Sequence, residues 1–111
     1  MSRDYKVYLQ DILEAIRKIQ NFTKGISKNS FLSDEKTFDA VIRNLEIIGE
    51  AIKNIPDHVR NNHHKIEWRK IAGLRDVLIH EYFGIDEDIV WEIIEDKLPH
   101  LKRQIQEILK K

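Results

Sequence analysis

Apolar residues recur along most of this chain at spacings of three and four, the interval that lines one face of a helix. Tyr5, Tyr8, Leu9, Ile12, Ala15, Ile16, Ile19 and Phe22 follow it from about Asp4 to Lys24, which predicts a first amphipathic helix. Gly25 comes next, the residue best suited to the positive φ of a helix end. A second helix is expected to open at Ser33 or Asp34, either of which caps exposed N–H groups, and to stop at Pro56. Its main stripe is Phe38, Val41, Ile42, Leu45, Ile48, Ile52 and Ile55. Ala40, Ile47 and Ala51 fall on a neighbouring face, about 100° or more from the stripe centre, which suits either one wide core or a contact with a second subunit.

Residues Asp57 to Glu67 are polar and predict a connector with at most a short helix. A third helix is expected over Trp68 to Phe83, stopped by Gly84. The fourth should open at Asp86, with Ile85 and Val90 as a hydrophobic staple. Its stripe of Val90, Trp91, Ile94, Leu98, Leu101, Ile105, Ile108 and Leu109 keeps helical phase through Pro99. That proline removes the hydrogen bond to Glu95, so a kink is expected there. No segment alternates like a strand. The expected fold is all-α: an antiparallel up-and-down four-helix bundle, with a short connector between the second and third long helices.

Length and composition narrow the picture. At 111 residues the chain is expected to form a single domain, residues 1–111, with one core. Cysteine is absent, which excludes disulfides, a thiol nucleophile and thiolate metal sites, and suits a reducing compartment. The opening residues lack the apolar core and cleavage site of a signal peptide, and no apolar run approaches the roughly 18 residues that span a bilayer. A cytoplasmic protein without a membrane partner is the expectation.

Nineteen Lys and Arg balance nineteen Asp and Glu, so net charge points to no polyanion. Local charge differs. Between His58 and Arg75 lie Arg60, Lys65, Arg69, Lys70 and Arg75 against a single acid, Glu67, with His58, His63 and His64 among them. This reads equally as a solvated face or as a phosphate-binding surface beside the third helix. Between Asp86 and Asp96 lie Asp86, Glu87, Asp88, Glu92, Glu95 and Asp96 with no base, as helix-dipole complementarity and a solvated face would have it. The clustered histidines match no zinc pair of the HExxH kind, so no metal site and no cofactor is expected.

On the third helix Trp68, Ile71, Ala72, Leu74, Leu78, Ile79 and Tyr82 form the apolar stripe, and Arg75 sits in its middle. A guanidinium there requires a partner, such as Glu46 or Glu50, or a route to the bundle surface. His80 lies about 140° around a straight helix from Arg75, so a loosened helix or a dimer is needed to bring the two together.

Residues Arg75 to Tyr82, RDVLIHEY, resemble the R-x4-H-x-Y form of the motif carried by HepT toxins of the HEPN superfamily. The segment from Arg43 to Ala51 resembles that family's second-helix signature, Trp68 to Asp86 its third helix and turn, and Val90-Trp91 and Leu98-Pro99 its fourth. The resemblance implies a homodimeric, metal-independent endoribonuclease acting on RNA, the toxin of a toxin–antitoxin pair. Its implied partner is a nucleotidyltransferase of the MNT type that neutralises the toxin by transferring AMP to the motif tyrosine, here Tyr82. Arg75 and His80 are then the catalytic pair, with Asp76 as the polar residue that follows the motif arginine. Asp76 suits orientation of His80 or Arg75, or equally a surface pairing with Lys70 or Arg69. Arg43, Glu46 and Glu50, on the polar side of the second helix, read either as surface ion pairs or as supports facing the motif helix. Other readings of the same residues are a non-catalytic binding partner that accepts AMP at Tyr82, a metal protein, and a purely structural bundle.

Overall fold

A computed structural model of the chain describes residues 4–73 and 87–110. All regular structure among them is helical. Helix α1 spans Tyr5–Thr23 and is capped by Asp4, whose carboxylate accepts from the Lys6 amide at 3.0 Å. Leu9, Ile12, Ala15, Ile16 and Ile19 are its buried face, the stripe that the periodicity predicts. Past its C-cap at Lys24 the chain turns at Gly25, whose φ of 75° is the only positive one among the described residues.

Helix α2, Lys28–Ser33, is a six-residue element that the periodicity does not predict. Ser27 caps it by accepting from the Ser30 amide at 3.1 Å. It packs on α3 and carries Phe31 into the core, where its ring meets Phe38 at 5.5 Å and Trp91 at 5.3 Å between centroids. Asp34 then starts α3, Glu35–Ile52, accepting from the Thr37 amide at 3.2 Å and the Thr37 hydroxyl at 2.7 Å. Of the two expected caps, Asp34 holds the position, because Ser33 is taken up as the last residue of α2.

Val41, Ile42, Leu45, Ile48 and Ile52 of α3 are buried, as expected. Ala51 is buried too, while Ala40 and Ile47 are half-buried. The apolar surface of α3 therefore wraps well beyond its main stripe within one chain. Asn44 lies inside this surface and returns its amide to the Ala40 carbonyl at 2.9 Å. Among the described residues no buried side-chain nitrogen or oxygen lacks a hydrogen-bond partner.

The connector contains one short helix, α4, Asp57–Asn62, pinned by Val59. A further helix, α5, begins at residue 68 and is described to residue 73. The remainder of the expected third helix, its stop at Gly84, and the Ile85 and Asp86 positions of the staple and cap lie outside the described residues.

The C-terminal run comprises α6, Glu87–Glu92, one π-helical turn, Ile93–Lys97, and α7, Leu98–Lys110. The π turn stands where a kink at Pro99 is expected. In place of a proline clash with the Glu95 carbonyl, the helix widens one turn earlier, and the Leu98 amide bonds to the Ile93 carbonyl. Val90, Ile94, Leu98, Leu101, Ile105 and Ile108 remain on the buried face throughout. Helix α1 packs against both α3 and α7, so the core is centred on the first long helix. Lys28 and Asp88, 2.7 Å apart, join α2 to α6 on the outside. Among the described residues no helix is long and apolar enough to cross a membrane.

Candidate functional site

Helix α5, which precedes the motif in sequence, is anchored from the connector. Ile66 and Trp68 are buried side by side, and the Trp68 indole donates to the His63 carbonyl at 3.0 Å. Ile71 and Ala72, one turn on, are half-buried. This fixes where the third helix enters the fold. Arg75, Asp76, His80 and Tyr82 lie outside the described residues, as does any pairing of Arg75 with Glu46 or Glu50.

On α3, Arg43 and Glu50 are exposed and Glu46 is half-buried. The Glu50 carbonyl accepts from the Asn54 amide group at 3.0 Å. Arg43 and Glu46 form no ion pair with each other among the described residues. One residue from the same stretch, Ile48, reaches a cleft beside the motif helix.

The basic run divides into two functions. Arg60 turns inward: its guanidinium donates to the Ile52 carbonyl at 2.7 Å and to the Ile55 carbonyl at 3.0 Å, closing the open end of α3. It belongs to the scaffold. His58 lies edge-on to Tyr5, with ring centroids 6.1 Å apart. Among the described residues no three histidine or carboxylate side chains converge as metal ligands would. Lys65, Arg69 and Lys70 are exposed.

Lys65 and Lys70 rim a cleft of about 260 Å³, and two residues from the C-terminal run, Lys97 and His100, rim it from the other side. Ile48, Ile71, Ile93, Leu98 and Leu101 form its apolar lining. Gln104 closes one end, its amide near the Lys65 carbonyl at 3.4 Å. The one acid among the described lining residues is Glu67, paired to Lys70 at 2.8 Å. The Lys70 ammonium that bonds it holds the Glu67 carboxyl below its ordinary range, and the positive charges of Lys97 and His100 add to the effect. Lys70 is raised in turn by Glu67. A shallower groove on the other side of Glu67 and Lys70 is lined by Arg60, Asn61, His64 and Arg69. The contribution of Lys97, His100 and Gln104 is absent from the reading of the sequence. Lys97 ends the π turn and His100 and Gln104 follow in α7; in the sequence they stand at i, i+3 and i+7, and that spacing is the signal available for them.

Comparison with known proteins gives this arrangement its context. The family described as ribonuclease HepT-like matches residues 12–108. A protein of Thermococcus cleftensis named "probable ribonuclease HepT" is 48% identical over 110 residues, covering 99% of this chain and 100% of its own length. A "putative RNase" of Methanocaldococcus jannaschii is 45% identical over 108 residues, covering 97% of this chain and 89% of its own. A third relative from the same organism, named "gamma-glutamylcyclotransferase and putative RNase", is 43% identical over 109 residues, 98% of this chain but 49% of that longer protein. No solved structure gives a significant match to the chain. The chain belongs to the HepT-like ribonuclease family.

Proposed function

We propose that this protein is a metal-independent endoribonuclease that cleaves RNA with Arg75 and His80. The observation that carries the reading is family membership over residues 12–108 together with an intact R-x4-H-x-Y sequence at Arg75, His80 and Tyr82. The chemistry follows from those residue types. The His80 imidazole, with an ordinary pKa of about 6.5, takes the proton from a ribose 2′-OH. The 2′-oxygen then attacks the adjacent phosphorus, and the 5′-oxygen of the next nucleotide leaves with a proton. The products are a 2′,3′-cyclic phosphate and a 5′-OH. Arg75 binds the non-bridging oxygens through its planar fork and stays charged throughout. Asp76 orients one of the two.

The four long helical segments then form an up-and-down bundle, and two bundles form a homodimer. A dimer with both motifs at the two-fold supplies a second histidine as the acid for the leaving oxygen. Arg43, Glu46 and Glu50 support the motif helix. The protein acts as the toxin of a two-gene pair in the cytoplasm. Its antitoxin, an MNT-type nucleotidyltransferase, transfers AMP to the Tyr82 hydroxyl, and the added bulk and charge exclude the RNA backbone.

The test is incubation of purified protein with RNA in EDTA, with His80→Ala alongside. Cleavage by the wild type, a loss of about 10²-fold or more in the variant, and cyclic-phosphate ends are expected. Equal cutting of DNA, or products with a 3′-OH, would overturn the mechanism. Acceptance of AMP at Tyr82 without cleavage would make the protein a binding partner of the transferase instead.

A further inference from the structure

We infer that the cleft between the start of α5 and the C-terminal run is a binding subsite for one nucleotide of single-stranded RNA. The inference rests on the ribonuclease reading for the class of ligand, and on the cleft itself for the place. At about 260 Å³ the space falls just below the roughly 300–1,000 Å³ of ordinary small-molecule sites. It suits one nucleotide, not a peptide segment.

Its lining has two chemistries in the order a nucleotide presents them. The half-buried Ile71 and Ile93 offer apolar surface for the face of a base, over the buried Ile48, Leu98 and Leu101, and the His100 imidazole is the one ring among the described lining residues. Lys65 and Lys97 at the rim carry charge for a phosphate. Lys70 is already paired to Glu67, and that pair restrains it at the edge of the cleft. The described lining therefore carries three lysines against one carboxylate, a net charge of +2 before His100 is counted, although the chain as a whole is neutral. The π turn contributes Ile93 and Lys97 to one wall, and such turns are frequent at functional sites.

Distance along the chain ties the cleft to the motif. Ile71 lines the cleft and Arg75 follows four residues later, a stretch of backbone that spans at most about 14 Å. A nucleotide in the cleft is thus within a short stretch of RNA of the motif arginine.

The test uses a fluorescent 2′-O-methyl oligoribonucleotide of about eight nucleotides, within the site size of known single-strand binders. It has no free 2′-OH and so cannot be cleaved. Binding by anisotropy should weaken by about tenfold or more in Lys65→Glu/Lys97→Glu, and the slope of log affinity against log salt should fall by roughly 0.7 per lost contact. Lys18→Glu, on the exposed side of α1, should bind as the wild type does. On the RNA side, one abasic position should weaken binding to the wild type and not to the double variant, a readout independent of protein folding. A 4-thiouridine probe should crosslink to the peptide containing residues 97–104.

Wild-type binding by the double variant, no effect of any abasic position, or crosslinks confined to other peptides would overturn the subsite. The same holds if the wild type binds no RNA, or if an acidic peptide competes for the cleft as well as RNA does. Cleavage in EDTA with unchanged binding in the double variant would remove the subsite and leave the nuclease. Binding through the cleft without cleavage would do the reverse.

Discussion

Arg60 shows how a single side chain changes meaning between sequence and structure. In the sequence it opens a basic run that suits phosphate. In the fold its guanidinium closes the end of α3 through the Ile52 and Ile55 carbonyls, eight and five residues back. Such backward bonds across Pro56 have no periodicity to betray them. Replacing it by methionine keeps the stem and removes the donors, and should cost about 1.5–3 kcal/mol in urea unfolding with an unchanged m-value. RNA binding should be unaffected. Asp34 behaves more legibly, since a cap residue announces itself. The Thr37 hydroxyl, and then its amide, hold the Asp34 carboxyl below its ordinary value. A folded-state value below that of the unfolded chain means the stabilisation is present above about pH 4 and is lost as pH falls through the folded value. Asp34→Ala should lower Tm at neutral pH. Asp34→Asn keeps the acceptor, and should lose less at pH 7 while flattening the Tm-against-pH curve below pH 4.

At the scale of elements, the long helices were readable because each repeats its apolar spacing over several turns. Helix α2 was not, since six residues complete fewer than two turns and its apolar pair, Phe31 and Leu32, are adjacent. Yet Phe31 is fully buried and touches residues of two other helices. Phe31→Ala should therefore cost about 3–5 kcal/mol by urea unfolding, as for a core aromatic and not for a loop residue. A loss under 1 kcal/mol would contradict the burial. At Pro99 the sequence marks the missing donor, whereas the π turn that precedes it depends on what packs against the helix on both sides. The cleft was hidden for a related reason. Its walls come from α3, the connector and the C-terminal run, and only the connector's share was visible as a charge pattern.

For the whole molecule, the family and the helical class followed from segments matched in order along the chain, while the described residues end two positions before Arg75 and resume seven after His80. The homodimer proposal makes a claim that dilution tests. If both subunits contribute to one site, specific activity should fall as the protein is diluted through the concentration at which light scattering or sedimentation shows monomers. Constant activity per chain across that range would refute a composite site. The packing of α1 against α7 carries a consequence for synthesis. Leu9, Ile12 and Ile16 leave the ribosome well before the α7 residues that cover part of that helix. The first helix can dock on α3 while translation continues, yet its α7 neighbour does not exist until Leu98–Lys110 has been made. A ribosome stalled before that stretch would display a chain whose first helix still has an uncovered face.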